Sequence, residues 1–175
     1  MAKNDEFIIA YEGLAEGEHS FSFPISNSFF ETFEPTEIQN CNLTAFLTLH
    51  KRSSHLEINF LIKGDVELIC DRCLENFTHP LVIEQTIYIK FGDEYKEEDI
   101  NLFIYPKSKT EIDTARIINE LIVVSLPMRK VHPDDEQGNP TCKEEMLDYI
   151  EQLQVDGSEI DPRWNELKKL KNGTS

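Results

Sequence analysis

From residue 41 onward the chain is dominated by alternation. Leu43, Ala45, Leu47 and Leu49 interleave with Asn42, Thr44, Phe46 and Thr48; after Lys51-Arg-Ser-Ser54 the same period resumes at Leu56, Ile58, Phe60 and Ile62. A period of two places every second side chain on one face of a strand, so both runs predict half-buried strands. Lys63-Gly64-Asp65 reads as a turn, after which Val66, Leu68 and Cys70 take up the alternation again. A further strand is expected from Leu81 to Phe91, with Ile83, Gln85, Ile87, Ile89 and Phe91 on one face. Upstream, Phe7–Tyr11 and His19–Phe23 predict two short strands, and Ser28–Phe33 a short helix closed before Pro35. The run Gly92–Asp99 reads as an acidic loop.

The pattern then turns helical. Asp113 is placed to cap a helix over Thr114–Leu126, where Ile117, Ile118, Leu121, Ile122 and Ser125 share one face and Pro127 ends it. Met128–Thr141 has no period and holds Pro133, Gly138 and Pro140, so a loop is expected, followed by a polar helix over Lys143–Leu153. Asp161-Pro162 pairs a capping side chain with Pro at a first helical position. Trp164, Leu167 and Leu170 then fall on one face, and Lys168, Lys169 and Lys171 suit the negative end of the helix dipole. Strands joined by polar turns, with no helical crossovers between them, predict an α+β fold. The expected form is an antiparallel β-meander or partly closed barrel, with helices mainly in the C-terminal third. Residues 1–126 form the expected β-rich domain, and 127–175 a loop and helical extension packed on it.

Composition fits this picture. The 175 residues include eleven Phe and are 39% hydrophobic, enough for a substantial core. No apolar run is longer than Phe7–Tyr11 and no secretory signal is visible, so the expectation is a cytoplasmic protein with no membrane partner. The net charge is −16, and acids outnumber bases in each third of the chain. Affinity for a polyanion comes largely from cations displacing phosphate counterions, so tight direct RNA binding is disfavoured and a basic protein partner fits better. Solubility alone would also explain the acidity. The short basic clusters include Arg129-Lys130, which with Arg72 forms the candidate partner-binding patch.

Cys70-Asp-Arg-Cys73 is a C-x-x-C pair where a strand runs out into a turn, a spacing that lets two thiolates converge on one tetrahedral ion. His132 and Cys142, on the irregular loop, would complete a Cys3His set around a structural zinc. The alternative is ordinary thiols at a turn and in a loop with no ion, and the residues leave both readings open. A redox pair is disfavoured. Leu74–Pro80 does not read as an amphipathic helix, so no helix N-terminus activates Cys73, and Asp71 and Glu75 oppose thiolate formation. Cys41, at the start of an alternating strand, reads as a core thiol; His79 is a fallback ligand. With no phosphate-binding glycine loop, no G-x-S-x-G and no H-E-x-x-H, an enzyme is not expected, and a thiol or metal enzyme ranks last.

Three ordered stretches resemble one family. Cys70-Asp-Arg-Cys-Leu74 before a long strand resembles the C-x-R-C-L core of the YceD family. Glu120–Pro127 followed by His132 and Cys142 is similar to that family's E-x-x-L-x-L-P, His and Cys region, and Asp161-Pro-Arg-Trp164 with Leu167 and Leu170 is similar to its C-terminal element. The insert Pro133–Thr141 is longer than the family pattern. The resemblance implies a role in accumulation of large-subunit ribosomal RNA, without catalysis, and a shared site at Cys70, Cys73, His132 and Cys142. Together with the charge, it points to a ribosome-biogenesis factor that binds a basic protein such as a large-subunit ribosomal protein. The alternative is a zinc-stapled module touching precursor ribosomal RNA directly through a small patch such as Arg129-Lys130 with Arg72.

Overall fold

The computed structural model describes residues 5–33 and 37–153, which belong to two compact units divided between His132 and Pro133. In the first unit the chain runs through β1 (Ile8–Ala10), β2 (Gly17–Ile25), α1 (Asn27–Phe30), β3 (Asn40–Lys51), β4 (His55–Ile69) and β5 (Asn76–Gly92). It continues through β6 (Lys96–Asp99), β7 (Leu102–Pro106), β8 (Glu111–Asp113) and α2 (Thr114–Ser125). Six strands make one sheet in the order β2-β3-β4-β5-β7-β6, and β1 pairs separately with β8. The large sheet keeps two edges, β2 and β6, so it is not a closed barrel. The α+β class expected from the alternation is the one observed.

Register explains the core. Leu47 lies opposite Phe60, Leu49 opposite Ile58, and Ile58 in turn opposite Ile87, so the predicted apolar positions line up across three strands. All five are buried, as are Ile117, Ile118 and Ile122 of α2. Burying one such side chain contributes roughly 1.5–3 kcal/mol, so this ladder is the main source of stability. Asp113 caps α2 as predicted, its carboxylate accepting from the Ala115 N–H at 3.0 Å. Leu121 is half-buried and Ser125 exposed, so the buried stripe is narrower than the helical spacing suggested.

The structure corrects three local expectations. Lys63-Gly64-Asp65 is not a turn: β4 passes straight through it, and the alternation keeps its phase from Ile62 to Val66. Gly64 is required for another reason. Its φ is +142°, and a Cβ there would sit 2.1 Å from the Asn42 carbonyl oxygen of the neighbouring strand. The acidic run 92–99 holds a strand, β6, in its second half, paired antiparallel with β7. Finally, β7 pairs parallel with β5, Tyr88 opposite Leu102, so the sheet is mixed and not a pure meander.

In the second unit Asp135 organises the loop. Its Oδ1 accepts the N–H groups of Gln137 and Asn139 at 2.9 and 2.7 Å, and Asn139 first, then Gln137 and Gly138, hold its carboxyl below the usual range. The helix α3 (Glu144–Leu153) follows, close to the predicted polar helix, with Glu144 and Glu145 in its first turn, where they complement the helix dipole. The expected helix start at Asp161-Pro162, with Trp164, Leu167 and Leu170, lies outside the described residues.

Candidate metal centre

The strand β4 leaves the ladder at Ile69, and the next five residues fold into a tight knuckle. The Leu74 N–H donates to the Cys70 carbonyl and the Cys70 N–H to the Glu75 carbonyl, both at 2.9 Å. Leu74 closes the turn with φ +61°, an uncommon conformation for a residue with a branched side chain. The strain has a use. It brings the chain back so that the Glu75 carbonyl meets the Cys70 N–H; within the turn the Arg72 N–H points at the Cys70 sulfur, 3.4 Å away, and both Cys70 and Cys73 are buried.

His132 reaches this knuckle from fifty-nine residues away, its Nδ1 lying 3.4 Å from the Cys73 sulfur. Two backbone links hold the approach. The Asp71 N–H donates to the Lys130 carbonyl at 2.6 Å, and the Lys130 N–H returns to Asp71 Oδ2 at 2.7 Å. The His132 ring also packs on Phe77, with centroids 5.1 Å apart. Asp71 therefore acts as a clasp between the two ligand-bearing segments. Nothing local in the sequence signals that role, because the partner atoms are backbone groups of a distant loop.

The electrostatics favour a thiolate. Burial pushes the Cys70 thiol up, but the N–H groups of Cys73 and Arg72, together with the ring and backbone of His132, outweigh it and bring the thiol down to about 6. These donors favour the thiolate form of Cys70, the form that ligates metals.

The donors Cys70, Cys73 and His132 have ligand atoms within 4.8 Å of one another. Tetrahedral zinc sets sulfur and nitrogen ligands about 3.5–3.8 Å apart, so the Cys73–His132 separation already fits and the remaining contraction is small. Two thiolates and an imidazole form a zinc-type donor set, and the N–H···S bond resembles the outer-shell support of such sites. These residues could hold a metal ion. Cys142 belongs to the second unit and is buried, 7% exposed.

The other candidates sort differently. Lys130 is committed to an ion pair, its Nζ 2.7 Å from Glu37 Oε2, while Arg72 is half-buried and Arg129 exposed. His79 lies opposite Val66 in the sheet, its ring set edgewise to Phe77. Cys41 lies at the start of β3, half-buried, its sulfur 3.7 Å from the Ile25 carbonyl. The acidic run around Glu97 is tied to Tyr95 and Arg116. No described helix is long and apolar enough to cross a membrane.

By fold and site this is an α+β protein whose mixed sheet carries a knuckle of thiols and an imidazole that could hold a metal ion. The comparison with protein families goes further: the family described as large ribosomal RNA subunit accumulation protein YceD matches residues 58–171, and the chain belongs to that family. The match begins inside β4 and takes in every candidate ligand. Family membership carries a role in accumulation of large-subunit ribosomal RNA. No curated protein and no solved structure matches the chain.

Proposed function

We propose that this protein is a cytoplasmic, non-catalytic ribosome-biogenesis factor that supports large-subunit ribosomal RNA by binding a basic protein, such as a large-subunit ribosomal protein. A structural zinc held by Cys70, Cys73, His132 and, as fourth ligand, Cys142 staples the fold. Cys142 is the natural choice because closed structural sites take four protein ligands, and it is the next thiol after His132.

The observation that carries the partner reading is the charge of −16 on a chain of this family. Newly made ribosomal proteins are cationic, and an acidic surface both steers and shields them. The direct-RNA reading loses one of its three basic residues, since the Lys130 ammonium is neutralised by Glu37. The deciding experiment is titration of purified large-subunit ribosomal proteins onto the full chain at rising ionic strength. Affinity that falls steeply with salt is expected; no binding, or binding indifferent to salt, overturns the reading.

A further inference from the structure

Besides its edge strands β2 and β6, the sheet leaves part of β5 unpaired on one side among the described residues. β5 pairs with β4 along its length, but β7 covers its other side only from Tyr88 to Gly92. Among the described residues, no strand pairs with that side over Asn76–Ile87. Direction can be read from one bond, since the Tyr88 N–H donates to Asn101 at the start of β7, at 2.8 Å. Backbone groups alternate along a strand, so Val82, Glu84 and Thr86 direct their N–H and C=O groups to the same open side. Pro80 has the same parity, and a proline within a sheet belongs where its missing N–H faces away from a ladder. The Thr86 carbonyl accepts from Gln85 Nε2 at 3.3 Å, which leaves Val82 and Glu84 as the edge without a strand.

Beside this edge lies a groove of about 460 Å³ between β5 and α2. Its apolar lining includes Ile83, Ile87, Leu121 and Val124, with Ile100 at the rim. Ile100 is 89%, Val124 85% and Val82 69% exposed, a concentration of apolar surface unusual on a chain this polar. Glu84 and Glu120 border the groove and no Lys or Arg lines it; Glu120 shares one oxygen with Arg116.

We infer that this groove binds an extended segment of a basic partner by strand addition to β5. The segment alternates apolar side chains, seated on the groove, with Lys or Arg side chains directed at Glu84 and the surrounding acidic surface. A helix would leave the edge amides unpaired, and a second copy of this chain would set Glu84 against Glu84 between two chains of charge −16. The inference rests on the basic-partner reading and adds where and how that partner docks.

The test uses the full chain with labelled Ile, Leu and Val methyl groups, titrated with an alternating Val-Lys peptide and, separately, a Val-Glu peptide. Expected are shifts of Ile83, Ile100, Leu121 and Val124 methyls with the Val-Lys peptide only, while Leu47 and Leu49 in the core stay put. Glu84→Pro removes the edge N–H at a position of the same parity as Pro80, and Val124→Lys adds a repelling charge on an exposed side chain. Each should weaken peptide binding about tenfold or more without changing the melting temperature. Equal shifts from both peptides overturn the inference, as do groove shifts that follow protein concentration without peptide, which would mean self-association. If both variants bind a ribosomal protein as tightly as the parent chain does, the groove fails while the basic-partner reading stands. If the parent chain binds no basic protein at all, the reading itself fails.

Discussion

Cys41, half-buried on β3, and Cys70, buried just past the end of the neighbouring β4, have thiols driven in opposite directions. At Cys41 the backbone is still entering the ladder and its amides are committed elsewhere, so burial acts alone and raises the thiol to about 11. At Cys70 the backbone has left the ladder, and N–H groups freed from strand pairing converge on sulfur, so the thiol falls to about 6 despite burial. The aim of the backbone amides therefore decides whether a cysteine behaves as a small hydrophobe or as an anion. The same contrast separates what holds each region together: side-chain packing in the sheet, and hydrogen bonds in the knuckle.

The largest expected effect comes from the knuckle. Cys73→Ser, or chelation of the parent protein, should release about one zinc per chain and lower the melting temperature by about 10 °C or more, read by metal analysis and calorimetry. A metal-free preparation with an unchanged melting curve in chelator would remove the site. Gly64→Ala breaks the comparison from the sheet side. Its Cβ would meet the Asn42 carbonyl at a strained φ, so a loss of about 3 kcal/mol is expected in denaturant unfolding, with zinc content unchanged. Loss of zinc in that variant would show that the two regions are not separable.

Smaller effects sharpen the picture. Asp71→Ala opens the clasp to Lys130 while sparing every ligand, and metal affinity measured against a competing chelator should fall about 10- to 100-fold. The smallest signal is the thiolate absorbance of the metal-free, reduced protein. A step near pH 6 should vanish in Cys70→Ser and survive in Cys41→Ser. For Cys70 the folded value lies below the ordinary thiol value, so its contribution to stability is complete above that ordinary value and drains away as pH drops through about 6. For Cys41 the sign reverses: its contribution is complete below the ordinary thiol value and lost as pH rises toward about 11.

What could be read from sequence follows from how local each cause is. The alternation in β3 and β4, the cap at Asp113 and the thiol pair are all written within a few residues, and all stand in the structure. Lys63-Gly64-Asp65 misled because a glycine needed for close approach of a neighbouring strand looks the same as one needed for a turn. β6 is Lys-Glu-Glu-Asp, with no strand propensity of its own, and forms because β7 offers it a partner. The parallel pairing of β7, the Asp71–Lys130 clasp and the Lys130–Glu37 pair depend on atoms far apart in sequence. His132 stood out only through its place in an aperiodic segment and through the family pattern, because a single histidine carries no period.

Ile8–Ala10 pairs with Glu111–Asp113, and the Thr114 hydroxyl, buried, donates to the Phe7 carbonyl across a separation of 107 residues. The β3–β4–β5 hairpins close over far shorter spans, so pairing β1 with β8 carries the larger loop-closure entropy cost. Until that pair forms, Phe7 and Ile9, both buried in the fold, remain in water.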